Sequence, residues 1–164
     1  MSEEDRRVTI SWEDPRRLAE AGREMSGFEF LQKIVSGELP RPPLASLMDF
    51  QIVELAEGRA VFAVHPAEYH YNPIGVVHGG LAATLLDSAM GCAVHSMLPS
   101  GSGYTTLELK VNFIRAMTKE TGRVRAEGKL IHLGGRTATA EGRVIDESGK
   151  LYAHATTTCL ILRQ

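Results

Sequence analysis

The chain has 164 residues, with 18 Lys and Arg against 20 Asp and Glu and a formal charge of −2 at pH 7. That length can bury the core of one ordinary domain without disulfides or metal, and the balanced charge presents no surface for nucleic acid or an anionic membrane. Its two cysteines, Cys92 and Cys159, make neither a CxxC pair nor a disulfide framework and read as reduced packing residues of a cytoplasmic protein.

The opening MSEEDRRVTI is polar and acidic, without the apolar run of a secretory signal, and residues 1–25 are charged and weakly patterned. They read as a partly ordered extension. "SGFEFLQKIVSGE" then predicts a short helix, with Ser26 as N-cap, Glu29 closing a capping box and Gly37 placed to stop it. "LPRPP" must run extended, and Pro43 suits the first position of another turn through Met48. Residues 1–44 are thus an N-terminal helical extension whose expected role is packing or partial cover of a substrate entrance, and 45–164 form the main domain.

From Phe50 the apolar period changes to two. "FQIVEL" and "RAVFAV" flank Ala56, Glu57 and Gly58, a hairpin signal. A long helix follows from Gly79. After it come "YTTLELKVNF", with Leu107, Leu109, Val111 and Phe113 expected on one face, then "GRVRAEGKLIHL", "RTATAEGRVI" and "LYAHATTTCLIL", joined by Gly134-Gly135 and "DESGK". The short turns predict a mostly antiparallel sheet. The helix lacks a broad charged face, so it must be covered on most sides, by a curved sheet and in part by a second subunit.

The stretch Gly79 to Leu98 is apolar and small-residue-rich, but Asp87, Ser88, Gly91 and His95 at its centre exclude a membrane span. Asp87 is its single full charge. An aspartate so far inside a helix caps nothing and has poor helix propensity, which points to chemistry: a partly desolvated carboxylate suits a base. A buried ion pair with Arg or His, or a solvent-facing slot, would explain it structurally. Ahead of the helix, "NPIGVVHGG" puts Gly79 and Gly80 at the first unpaired helical N–H groups, where the partly positive helix end suits an oxyanion; a turn needing unusual dihedrals would explain the glycines equally.

Gly79 and Asp87 are separated by about 12 Å along one straight helix, whereas a base and an oxyanion donor must meet a single carbonyl. Two helices antiparallel about a twofold axis would bring Asp87 of one beside Gly79 of the other, which predicts a dimer with two equivalent sites. Ala82, Ala83, Ala89, Gly91 and Ala93 permit close approach of other backbone, whether a partner's or the sheet's.

On these residues the chain resembles the hotdog-fold acyl-CoA thioesterases, in the branch of the phenylacetate-degradation thioesterases: Asn72, then His78-Gly79-Gly80-Leu81, then Asp87 match that branch's motif, and the resemblance covers about residues 45–162. It implies an α+β hotdog fold, a six-stranded antiparallel sheet wrapped around a long central helix, assembled as homodimers that often pair into homotetramers. It also implies hydrolysis of aromatic or medium-chain acyl-CoA without a cofactor, CoA being part of the substrate. Asp87 becomes general base or nucleophile and the Gly79 N–H the oxyanion donor. Asn72 and His78 line that side, and Thr106 places the water. Gly80 belongs to the substrate site. So does Thr105, which takes the place of Thr106 if the alignment shifts by one residue.

Arg136, after Gly134-Gly135, is a candidate for the CoA phosphates, since guanidinium binds phosphate bidentately; a solvated arginine is the plainer expectation. The six histidines show no metal-ligand spacing, so no metal is expected, and no GxSxG elbow is present. Two other functions fit the same fold: a hydratase or dehydratase acting on acyl thioesters, and a non-catalytic acyl-CoA sensor. The His-Gly-Gly context weighs against the first and the retained Asp87 against the second.

Overall fold

Asp14 accepts a hydrogen bond from the Arg16 N–H at 3.0 Å and caps a helix, α1 (Pro15–Glu24), with Pro15 in the first turn where no donor is needed. The computed structural model, which describes residues 6–163, therefore corrects the expectation of a weakly patterned extension there. The helix hides from composition because Leu18 is its one buried residue. α2 (Gly27–Ser36) forms as expected: the Ser26 hydroxyl accepts from the Glu29 N–H at 3.3 Å, and Gly37 ends the helix at φ +80°. α3 is a single turn, Pro43–Leu47.

Six strands make one antiparallel sheet: β1 (Phe50–Ala56), β2 (Arg59–Val64), β3 (Ser102–Phe113), β4 (Val124–Leu133), β5 (Thr137–Asp146) and β6 (Leu151–Arg163). Their order across the sheet is β1-β2-β4-β5-β6-β3, so β1 and β3 are the edges. Glu57 and Gly58 turn β1 into β2, with Gly58 at φ +71°. Bulges interrupt the register in β1, β3, β4 and β6, and such irregularities bend strands, here around the long helix α4 (Gly79–His95).

α4 presses Leu81, Leu85, Leu86, Met90 and Val94 into the sheet, each at most 2% exposed, and each contributes about 1.5–3 kcal/mol of burial. The approach is close enough to require glycine in the facing strands. A Cβ at Gly128 of β4 would stand 2.2 Å from the Ala89 carbonyl, and one at Gly91 of α4 would stand 2.3 Å from the Tyr104 hydroxyl. Ala82, Ala89 and Ala93 are likewise buried. The small residues of the helix thus serve the chain's own sheet, and of those named above Ala83 alone lies on the half-open side. α2 closes the far end: the Gly27 N–H donates to the Leu98 carbonyl at 3.0 Å, and a Cβ on Gly27 would strike the His95 carbonyl.

What remains uncovered on α4 is a half-buried stripe, Gly80, Ala83, Thr84, Asp87, Ser88, Cys92 and His95. Its spacing of three and four keeps it on one face. The edge strand β3 departs from expectation in one respect. A bulge between Thr106 and Glu108 takes Leu107 out of line with Leu109 and Val111, leaving it 57% exposed while those two pack on the core. Among the described residues no helix is long and apolar enough to cross a membrane.

Candidate active site

Asn72 builds the approach to α4. Its side-chain carbonyl accepts from the Ile74 N–H at 3.1 Å and the Val76 N–H at 3.3 Å, closing a turn that needs Gly75 at φ +82°. Asn72 thereby shapes the loop. The turn delivers His78 to the N-cap of α4, where its Nδ1 accepts from the Gly80 N–H at 2.8 Å. An accepting Nδ1 carries no proton, so the imidazole hydrogen sits on Nε2 and faces outward from the exposed side chain.

Sequence spacing makes both glycine N–H groups available, but the structure assigns Gly80's to His78 and leaves that of Gly79 without an acceptor among the described residues. Neither glycine needs a positive φ. Each is small for a contact reason instead. A Cβ on Gly80 would fall 2.8 Å from His78 Nδ1, and one on Gly79 would fall 3.1 Å from the Phe113 ring. An unpaired N–H at a helix start is a fixed donor for an anionic oxygen.

Two turns further along, Asp87 Oδ1 accepts from the Thr106 hydroxyl at 2.8 Å. No Arg, Lys or His pairs with Asp87 among the described residues, so a structural ion pair does not account for it. Thr106 and Thr105 lie on opposite faces of β3: Thr106 turns to the helix and Thr105 is exposed. Around Asp87 the other candidate nucleophiles are held protonated. Burial, then the Asp87 charge, pushes the Cys92 thiol up to about 12, and burial raises Cys159 and Tyr104 as well.

Arg136 is exposed in the β4–β5 turn, where its carbonyl accepts from the Ile161 N–H at 2.9 Å. Ile161 pairs with Tyr104 near the start of β3, whereas Gly79 lies beside Phe113 at the other end of that strand. One protomer therefore does not bring Arg136 to Gly79. Nor does it bring Asp87 there, since the two share one helix at a rise of about 1.5 Å per residue. Among the described residues no three His, Cys, Asp or Glu side chains cluster as a metal site.

Three residues of this region escape a reading of the sequence. His70 is buried; its Nδ1 accepts from the Ala67 N–H at 3.0 Å, its Nε2 meets the Met48 carbonyl at 3.1 Å, and its own carbonyl accepts from the His78 N–H at 2.8 Å. It positions the cap of α4 from outside the motif. Tyr69 and Tyr71 flank it, and the Tyr71 hydroxyl accepts from the Lys119 N–H at 2.9 Å. An aromatic pair around a histidine in "EYHYNP" is the one local signal that could have marked them.

Residues 74–153, which contain His78, α4 and strands β3, β4 and β5, match the family model described as thioesterase superfamily. Among curated proteins the chain is similar to the 1,4-dihydroxy-2-naphthoyl-CoA hydrolase of Listeria monocytogenes, 28% identical over 108 residues, 66% of this chain and 86% of that protein. Among solved structures it is similar to a mutant of the phenylacetic acid degradation protein PaaI from Thermus thermophilus, at a TM-score of 0.66 and 31% identity over 73% of this chain and 98% of the other. A conserved protein of Pseudomonas aeruginosa gives a TM-score of 0.70 at 32% identity, covering 74% and 95% of the two chains. With the antiparallel sheet wrapped on α4 and this degree of likeness, the chain belongs to the thioesterase superfamily of hotdog-fold thioester hydrolases, in the branch that includes the phenylacetic acid degradation proteins.

Proposed function

We propose that the chain hydrolyses acyl-CoA thioesters carrying aromatic or medium-chain acyl groups, in the cytoplasm, at sites formed between two protomers that themselves pair further into tetramers. The observation that carries this reading is the separation on α4 of an unpaired Gly79 N–H from a carboxylate, Asp87, that is held by Thr106 and free of any cation among the described residues. Two such helices, antiparallel along their half-open stripes, supply both groups to one carbonyl.

At such a site the thioester oxygen accepts from the Gly79 N–H of one protomer, and Asp87 of the other takes a proton from water. The hydroxide adds to the carbonyl carbon, the Gly79 N–H holds the oxyanion, and the C–S bond breaks to release CoA thiolate and the free acid. Direct attack by Asp87 on the carbonyl, through an acyl-aspartyl anhydride that water then cleaves, uses the same geometry. In the same antiparallel pair the partner's Arg136 end comes to the Gly79 end, which offers that guanidinium to the CoA phosphates. The likeness to a naphthoyl-CoA hydrolase supports an aromatic acyl group.

Thiol release from a panel of acyl- and aryl-CoA esters tests the reading. Turnover of at least one aromatic or medium-chain member, with free acid and CoA as the products, is the expected result. Loss of the enoyl absorbance of crotonyl-CoA without thiol release would mark a hydratase instead.

A further inference from the structure

Beside the start of α4 lies a cavity of about 520 Å3, within the usual range of small-molecule sites of roughly 300–1,000 Å3. Leu47, Met48, Tyr69 and Leu81 line it together with His78, Gly80 and Thr84 at the start of the helix. The remaining wall comes from the N-terminal extension, as Val8 and Ile10. Val8, Leu47 and Tyr69 are 51%, 54% and 48% exposed, so three large apolar side chains that the fold leaves open to water converge on this space. Apolar surface left open in one place marks a binding site more often than it serves packing.

The segment is fastened there. Arg6 Nε meets Glu68 Oε2 at 3.1 Å, and Glu68 is also held by Lys119 at 2.9 Å, next to Tyr69 in the wall. Gly80 and Thr84 stand one turn apart on α4, on the stripe that continues through Ser88, so the cavity begins within one helical turn of the free Gly79 N–H. Gly80 lines this cavity while Gly79 lines a neighbouring one beside Phe113, so an acyl group carried by a thioester on the Gly79 N–H has to pass Gly80 to enter it. An apolar acyl group gains by leaving water for these side chains; a charged or heavily hydroxylated one finds few partners in the walls. Residues 6–10, like Leu47, Met48 and Tyr69, lie outside the 74–153 segment matched by the family model.

We propose that this cavity takes the apolar acyl group of the thioester, and that Val8 and Ile10 of the N-terminal extension set the size of group it accepts. The assignment rests on the hydrolase reading above and adds to it the determinants of acyl selectivity.

The test compares the full chain with Ile10→Trp, which fills the cavity, and the double variant Val8→Ala/Ile10→Ala, which widens it. Thiol release is followed from acetyl-, hexanoyl-, decanoyl- and benzoyl-CoA, and selectivity is read as ratios of kcat/KM, which do not depend on the folded fraction. Ile10→Trp is expected to lower the decanoyl-to-acetyl ratio by tenfold or more, and the double variant to raise it. A uniform change across the panel, or none, overturns the assignment. Calorimetric binding of the non-hydrolysable thioethers S-decyl-CoA and S-methyl-CoA separates this from failure of hydrolysis itself. If no ester is turned over but Ile10→Trp weakens S-decyl-CoA selectively, the pocket stands and the hydrolase reading falls. If neither thioether discriminates the variants, the pocket falls whatever the turnover.

Discussion

Thr106 Oγ1 donates to Asp87 Oδ1 at 2.8 Å, tying an edge strand to the middle of the central helix. One carboxylate oxygen is thereby oriented, and the other is left to meet a water or a carbonyl. On this account Asp87→Asn lowers kcat by about 10²–10⁴-fold while the protein stays folded, because Asn can still accept from Thr106. Thr106→Val, which keeps shape and removes the donor, lowers kcat about tenfold with KM little changed, and Thr106→Ser restores most of it. Steady-state thiol release on the three variants checks the ordering. Equal kcat for Thr106→Val and wild type would leave Thr106 a packing residue.

Gly128 and Ala89 fix how closely the sheet approaches α4. A Cβ at position 128 has backbone of Ala89 2.2 Å away and nowhere to move it. Gly128→Ala should therefore lose about 1–3 kcal/mol or more in denaturant unfolding, as overpacking does. Gly135→Ala, where nothing lies within 4 Å, serves as the control and should stay near wild type.

His70 links stability to pH. Burial pushes its imidazole below the ordinary 6.5, against the opposing effects of the Met48 carbonyl and the Asp49 charge. The unfolded chain therefore binds the proton first as pH falls. His70 contributes fully above about pH 6.5 and progressively less as the pH drops towards its lowered folded value. His95, between the rings of Phe30 and Tyr104, is lowered by burial in the same sense. Melting temperatures measured from pH 7.5 down to 5 should fall for wild type and fall less steeply for His70→Gln. Parallel slopes would show that His70 titrates alike in both states.

Much of the architecture is legible because it is written locally. Ser26 and Gly37 bound α2 by cap chemistry, the two-residue period marks the strands, and a lone carboxylate in a small-residue helix isolates Asp87. What escapes depends on contacts between distant residues or on irregular backbone. A bulge displaces Leu107 without any local code for it. His78 caps α4 although histidine is not among the usual caps, which takes Gly80's N–H out of the reckoning. Val8 and Ile10 reach the helix start across about seventy residues of intervening chain, and only the folded path of the extension reveals it.

In the proposed dimer each site takes its acid from one protomer and its oxyanion donor from the other. Hybrid dimers test this, using Asp87→Asn in one protomer and Gly79→Pro in the other; proline lacks the N–H, its φ suits the first helical position, and the ring its Cβ approaches, Phe113, is exposed and has room to yield. Each parent alone should be nearly inactive. Unfolded and refolded together in equal amounts, they should recover about a quarter of wild-type thiol release, because half of the dimers are hybrids and each hybrid contains one intact site. A mixture no more active than its parents, or a protein that sediments as a monomer while fully active, would show that Asp87 and Gly79 do not meet across a dimer.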